Sequence, residues 1–331
     1  MLVIDVIRLY FQGMKLFDAH CHLQDVPDIE IESLMARAVS AGVERMVCCG
    51  TSSKDWNRVL QLAAEYPQII PMIGIHPWFV PMIGPEARRE RPRRSDEAAT
   101  GQGAAIHPWF VSGQWKEHFQ TLEKLLRKHP EAGIGETGLD FHKQFTNRTE
   151  QESCFAAHLE LAREMNRPVA VHCVNAWGRL VELLREHPAP RVLLHAFGGA
   201  AELIPELIKL NCWFSFCGSV TNQSARRVRA AAAAVPENRL LVETDSPDFT
   251  PAGCEPPNEP ANLVHIVRAI AGLRGIPAEI LADTVQKNGN ELNSYSCRIY
   301  RTPRDYGGDG AKQSESGCDE CVCGSGFCPD F

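Results

Sequence analysis

No run of 18 apolar residues occurs in this chain, so the sequence offers no membrane-spanning helix. Its apolar start, Met1–Phe11, is broken by Asp5 and Arg8 and makes a poor signal peptide. The stretch Leu9-Tyr10-Phe11-Gln12-Gly13 resembles a tag-cleavage remnant, and an upstream start reads equally well; on either reading Met14 is expected to open the domain, leaving 1–13 as an extension. Positive charge is also short: 34 Lys and Arg stand against 41 Asp and Glu, a formal net charge of −7. That excludes a protein that clings to nucleic acid by charge alone, but not an enzyme whose metal ions meet the phosphate.

Cysteine, by contrast, is plentiful. Most of the 13, such as Cys48, Cys49, Cys173, Cys212 and Cys217, fall in strand-like contexts and read as small buried hydrophobes. That usage fits a reducing cytosol or nucleus better than secretion. A length of 331 residues with 44% apolar content allows one large domain with appendages, or two smaller ones.

Short apolar runs suggest eight strands, near Lys15–His20, Arg45–Gly50, Ile69–Ile75, Ala132–Glu136, Pro168–His172, Arg191–His195, Cys212–Phe216 and Leu240–Thr244. Amphipathic helix-length stretches separate them: Ile31–Ala41, Asp55–Glu65, Trp115–Lys128, Arg148–Met165, Gly178–Glu186, Glu202–Lys209 and Ala261–Ala271. Apolar strands alternating with helices are parallel strands buried on both faces. The expected fold class is therefore α/β, a (β/α)₈ TIM barrel in a single domain over 14–288. An open doubly wound sheet is the alternative. It would spread the strand ends apart, whereas a closed barrel makes them converge.

Two stretches break the pattern. Ile75-His-Pro-Trp-Phe-Val80 recurs as Ile106-His-Pro-Trp-Phe-Val111, and Pro71-Met-Ile-Gly74 recurs as Pro81-Met-Ile-Gly84. Pro81–Val111 is thus expected to be an inserted, disordered loop after strand 3, from a local duplication or a retained non-coding stretch. Its basic run Arg88–Arg94 reads as a solvated linker rather than a nucleic-acid contact. After Asn288 periodicity fades into an irregular tail, 289–331, ending in Cys318-Asp-Glu-Cys321-Val-Cys323 and Cys328. Four thiols at that spacing could take one Zn²⁺, but a short tail without a core favours a read-through or alternatively spliced end.

The chemistry sits at the strand ends: His20-Cys-His22, His76, Glu136, His172, His195 and Asp245. A lone histidine at such a place is usually a satisfied core residue. His, Glu or Asp at six corresponding strand ends argue for one assembled metal site, and imidazole with carboxylate suits Zn²⁺, Mn²⁺ or Mg²⁺. His20 and His22 share one side of the chain because side chains alternate along a strand. Asp18 and Asp140 are expected to orient imidazoles. Glu243 is left out, because it diverges from Asp245 only if the strand bends.

Several segments resemble the TatD family of metal-dependent deoxyribonucleases: Phe17-Asp-Ala-His-Cys-His22, Gly74-Ile-His-Pro77, Ile134-Gly-Glu-Thr-Gly-Leu-Asp140, Val171-His172, Leu194-His195 and Val242-Glu-Thr-Asp-Ser-Pro247. Gln151-X₃-Phe155 and Asn258-Glu-Pro-Ala-Asn262 fit the same pattern, and the match runs from about Met14 to Asn288 outside the insertion. The resemblance implies a TIM barrel of the amidohydrolase superfamily with two divalent ions, Mg²⁺ first and Mn²⁺ or Zn²⁺ as alternatives. His20, His22, Glu136 and Asp245 would hold one ion. Glu136, His172 and His195 would hold the other, with Glu136 bridging. It implies hydrolysis of DNA, often 3′→5′ on single strands, as in DNA degradation or repair. Asp245 would accept the proton of the attacking water, and His76 would face the phosphate. His107 is the competing copy for that place, and the unbroken apolar run before His76 favours His76. Asn175 departs from the family, many of whose members carry Arg there, so one phosphate contact is expected to be lost.

Two other functions remain open on sequence. An amidohydrolase acting on small cyclic amides or lactones would often carry a carbamylated Lys at the end of strand 4, where this chain has Glu136. An inert barrel kept as a binding protein is suggested by the insertion and tail, against which stands the intact ligand set.

Overall fold

Eight parallel strands follow one another in chain order around a single sheet: β1 (Leu16–Cys21), β2 (Val43–Gly50), β3 (Ile69–Ile73), β4 (Gly133–Asp140), β5 (Pro168–Val174), β6 (Arg191–Leu194), β7 (Cys212–Phe216) and β8 (Leu240–Val242). They belong to a computed structural model that describes residues 14–80, 114–143 and 145–294. Almost every strand residue is buried, as expected for strands with a packed interior on one side and helices on the other. The sheet closes just beyond the end of β8. The Asp245 N–H donates to the His20 carbonyl at 2.9 Å, and the His22 N–H donates to the Ser246 carbonyl at 2.8 Å. The (β/α)₈ barrel expected from sequence is thus the observed fold.

The helices are α1 (Asp28–Ser40), α2 (Trp56–Glu65), α3 (Gln114–Lys128), α4 (Arg148–Met165), α5 (Trp177–Glu186), α6 (Ile204–Lys209), α7 (Arg226–Ala234), α8 (Leu263–Arg274) and α9 (Ala278–Leu292). Helix α4 ends at Asn166 and α8 at Gly275, both left-handed, which satisfies the last carbonyls of each helix. Among the described residues no helix is long and apolar enough to cross a membrane.

Two helices were not expected. Helix α7 is built from Arg and Ala around a single Val228 and shows no stripe of large apolar residues to mark it. Helix α9 runs on through Leu292, past the point at Asn288 where periodicity was read to fade. The reason lies at Gly289: a Cβ there would sit 2.5 Å from Cδ1 of Phe17, so the glycine marks a close approach of helix to barrel rather than the end of regular structure. The extension 1–13, the insertion Pro81–Val111 with His107, and the cysteine-rich tail from 295 onward lie outside the described residues.

Strand β4 carries a bulge. Ile134 pairs with Val169 and Thr137 with Val171, so three steps on β4 face two on β5. Gly135 lies inside it at φ 136°, with Ala170 so close that a Cβ would meet its Cβ and carbonyl oxygen at 2.8 Å. Strand β1 has a matching irregularity between Asp18 and Cys21. Bulges re-aim side chains, and these two flank Glu136 and His20.

Candidate metal centre

Glu136 lies at the centre of the barrel mouth and is buried. Its two oxygens face different partners. Oε2 is 3.4 Å from His20 Nε2 and 3.3 Å from His22 Nε2. Oε1 is 2.9 Å from His195 Nε2, 3.1 Å from His76 Nε2 and 3.2 Å from His172 Nδ1. Asp245 joins the first group, with Oδ1 3.3 Å from His22 Nε2 and 3.8 Å from His20 Nε2. The chain reaches this position because Asp245 itself is left-handed, at φ 52°. All six sequence-predicted residues, and His76 with them, therefore meet around one carboxylate.

The outer atoms of the rings decide which inner atoms carry lone pairs. His22 Nδ1 lies 2.8 Å from the Cys49 carbonyl, which can only accept, so the neutral ring carries its proton on Nδ1 and its lone pair on Nε2. His76 is the reverse. Its Nδ1 accepts from the Trp78 N–H at 3.1 Å, so in the neutral ring the proton sits on Nε2 and points at Glu136. His76 is thereby a donor facing the site and not a metal ligand. His172 turns Nε2 toward Asp140 Oδ2, 3.5 Å away, and His195 turns Nδ1 toward Glu243 Oε1, 3.6 Å away.

Charge follows from this crowding. Burial alone would raise Glu136, but His76, His195 and His172 hold its carboxyl well below the ordinary range. Burial likewise opposes ionisation of Asp245, yet His22, His195 and His20 hold it at about 2. His195 is pushed well up: burial opposes that, and Glu136 and Glu243 prevail. His20 goes the other way, lowered by burial and by His195 stacked on it at 4.0 Å.

These residues fit divalent cations. His20 Nε2 faces His22 Nε2 at 3.1 Å, and His195 Nε2 faces His172 Nδ1 at 3.4 Å, so ring nitrogens meet at contact distance around the two oxygens of one carboxylate. Neutral imidazoles with converging lone pairs repel unless a proton or a cation lies between them. Two triads of candidate ligands have their donor atoms within 4.8 Å of one another, His20, His195 and Asp245, and His20, His22 and Glu136; His76 lies as close to Glu136 and His172 but faces them with its N–H. Imidazole and carboxylate are suitable donors for Zn²⁺, Mn²⁺ or Mg²⁺.

Two expectations need correction. Asp18 orients no imidazole. Its oxygens accept from the Thr244 N–H at 2.9 Å, the Thr244 hydroxyl at 2.5 Å and the His20 N–H at 3.3 Å, binding β1 to the chain beyond β8. Burial pushes its carboxyl up to about 7 against those hydrogen bonds. Glu243, left out on sequence, belongs beside the site. It accepts from the Ala196 N–H at 2.6 Å and from the Ser215 hydroxyl while facing His195. Strand β8 ends at Val242 and the chain turns at Asp245, yet the two carboxylates do not diverge: Glu243 faces His195 and Asp245 faces His22. Asp140 does stand opposite His172 as expected.

Sequence reasoning also missed His158 on α4. Its Nδ1 donates to the Cys154 carbonyl at 2.7 Å, and its Nε2 accepts from the Ile75 N–H at 3.1 Å, one residue before His76. On an apolar helix face it carries no signal that separates it from an ordinary core histidine. Gln151 and Asn258 brace the loops: Gln151 bonds both backbone groups of Asp140, and Asn258 bonds the Thr244 and Asp248 carbonyls. Asn175 is exposed and left-handed after β5.

Comparison with known proteins agrees with this geometry. A family model described as TatD related DNase matches residues 17–294. The 3′-5′ ssDNA/RNA exonuclease TatD of Dickeya dadantii (strain 3937) is 30% identical over 269 residues, covering 79% of this chain and 90% of that protein. The uncharacterized metal-dependent hydrolase YabD of Bacillus subtilis (strain 168) is 30% identical over 281 residues, covering 84% and 98%. The crystal structure of YJJV, a TatD homolog from Escherichia coli K12, superposes with a TM-score of 0.68 at 24% identity, over 84% of this chain and 97% of that one, a likeness of fold.

Proposed function

Since this chain belongs to the TatD-related DNase family, we propose that it hydrolyses DNA phosphodiester bonds as a 3′→5′ exonuclease on single strands, using two divalent ions seated about Glu136. The observation that carries the reading is the division of Glu136, with one oxygen turned to His20 and His22 and the other to His172 and His195. His20, His22, Glu136 and Asp245 would hold one ion, and Glu136, His172 and His195 the other. Mg²⁺ is the expected metal, with Mn²⁺ or Zn²⁺ suited to the same donors. Bound there, such ions supply Lewis acidity to the phosphodiester and make water more acidic.

The residues do the rest. Asp245, held at about 2, is a carboxylate at neutral pH and accepts the proton of the attacking water at Oδ1. His76 presents a fixed Nε2–H, suited to a phosphate oxygen. Phe79, 44% exposed after β3 with its ring 6.5 Å from that of His76, and Phe249, 43% exposed in the loop after β8, are rings suited to stacking unpaired bases. A small cyclic amide has no use for them. The eight described cysteines are free thiols, which fits a cytosolic or nuclear setting.

The test is digestion of end-labelled single-stranded DNA with Mg²⁺ or Mn²⁺, with and without EDTA. Stepwise loss of the 3′ label, stopped by EDTA and restored by metal, is the expected result. Turnover of a cyclic amide or lactone without DNA cleavage would overturn it in favour of an amidohydrolase. DNA binding without cleavage would leave an inert barrel.

A further inference from the structure

The turn after β3 sets one residue, Trp78, against two of the imidazoles that face Glu136. Its ring meets His76 edge-on at 4.8 Å and His172 at 6.2 Å. Its backbone N–H donates to His76 Nδ1, which leaves the His76 proton pointing inward. Its indole Nε1–H donates to Asp140 Oδ2 at 2.6 Å, and that same oxygen lies 3.5 Å from His172 Nε2. The other oxygen of Asp140 accepts from the His142 N–H at 2.9 Å, so the carboxylate is anchored at both ends. His172 Nε2 is buried without a hydrogen bond, and Asp140 Oδ2, 3.5 Å away, is the acceptor in front of it.

The geometry points to Trp78 as a positioning residue for metal binding. By anchoring Asp140 Oδ2 it holds an acceptor opposite His172 Nε2, keeps the ring proton on that nitrogen, and leaves the Nδ1 lone pair for the ion shared with Glu136 and His195. Without the indole donor, Asp140 Oδ2 keeps only the longer approach of His172 Nε2 at 3.5 Å, and the carboxylate turns to find a closer donor. His172 then divides between two tautomers, one of which places a proton where the ion must bind. Trp78 thus fixes the proton of His76 through its main chain and that of His172 through its side chain. The inference rests on the two-ion reading above.

Trp78→Phe keeps the ring and removes the donor. Titration of the metal-free full chain with Mn²⁺, followed by calorimetry, is expected to show one of two ions weakened about 10- to 100-fold and the other unchanged. Ring ¹⁵N shifts of His172 should move from a single Nε2–H tautomer toward a mixture, which a merely structural tryptophan would not cause. Asp140→Asn should weaken the same ion, shift the Trp78 indole N–H resonance, and gain no further loss when combined with W78F. Wild-type affinity for both ions in W78F, or equal weakening of both with a lowered Tm, overturns the role. If W78F does not fold, D140N decides: an unmoved indole resonance with both affinities intact overturns it. A wild-type chain that binds fewer than two Mn²⁺ overturns the two-ion reading itself, and this inference with it.

Discussion

Glu243 Oε1 stands 3.6 Å from Nδ1 of His195, on the side of the ring away from Glu136, so His195 lies between two carboxylates. Glu243 is itself fixed by the Ala196 N–H and the Ser215 hydroxyl. Glu243→Gln keeps the shape but removes the charge behind the ring. Such outer partners typically contribute about 10- to 100-fold to metal affinity or activity. The variant should lose that much in kcat/KM while its melting temperature changes little; a drop in Tm with unchanged turnover of the folded fraction would assign Glu243 to the fold alone.

Glu136→Ala removes the one group that faces both sets of imidazoles. Hydrolysis should fall by about 1,000-fold or more, with both ions lost in a Mn²⁺ titration. Asp245→Ala should lose activity to a similar degree yet keep the ion at His172 and His195. Wild-type turnover in either variant under Mg²⁺ contradicts the two-ion mechanism.

Gly135→Ala tests the bulge. The new Cβ would meet Ala170 at 2.8 Å, and φ 136° is open to glycine and little else. A cost of about 2 kcal/mol or more is expected, read as a lower urea midpoint, together with weaker metal binding as Glu136 loses its aim.

His158 makes stability depend on pH. Burial pushes this histidine down from 6.5 to about 4, so between those values the unfolded chain binds a proton that the folded chain refuses. Stability therefore rises with pH across that window, and the His158 share lost at pH 5 is about 2 kcal/mol. Urea unfolding at pH 5 and 7.5 should show a smaller difference in His158→Gln than in wild type. An equal difference in both proteins would remove His158 as the source.

Strand ends were readable because apolar runs end abruptly at His20, Glu136, His172, His195 and Asp245, and a closed barrel forces such ends together. What escaped depends on local bends that alternation along a straight strand cannot show. Glu243 stands behind His195 because the Ala196 N–H and the Ser215 hydroxyl hold it there, and Asp18 turns to Thr244 across the seam between β1 and β8. Gly289, where the irregular tail was expected to start, lies within a helix and packs against Phe17. Trp78 and His158 act through hydrogen bonds to residues 62 and 83 positions away, which no pattern along the chain reveals.

The bonds that join the first strand to the last, His20 to Asp245 and His22 to Ser246, lie at the reactive centre itself. A ribosome delivers the two histidines early and the aspartate some 225 residues later. Until that last strand arrives, the nascent chain holds only part of the machinery that would cut a polynucleotide. The site is therefore whole only once the polypeptide has come full circle.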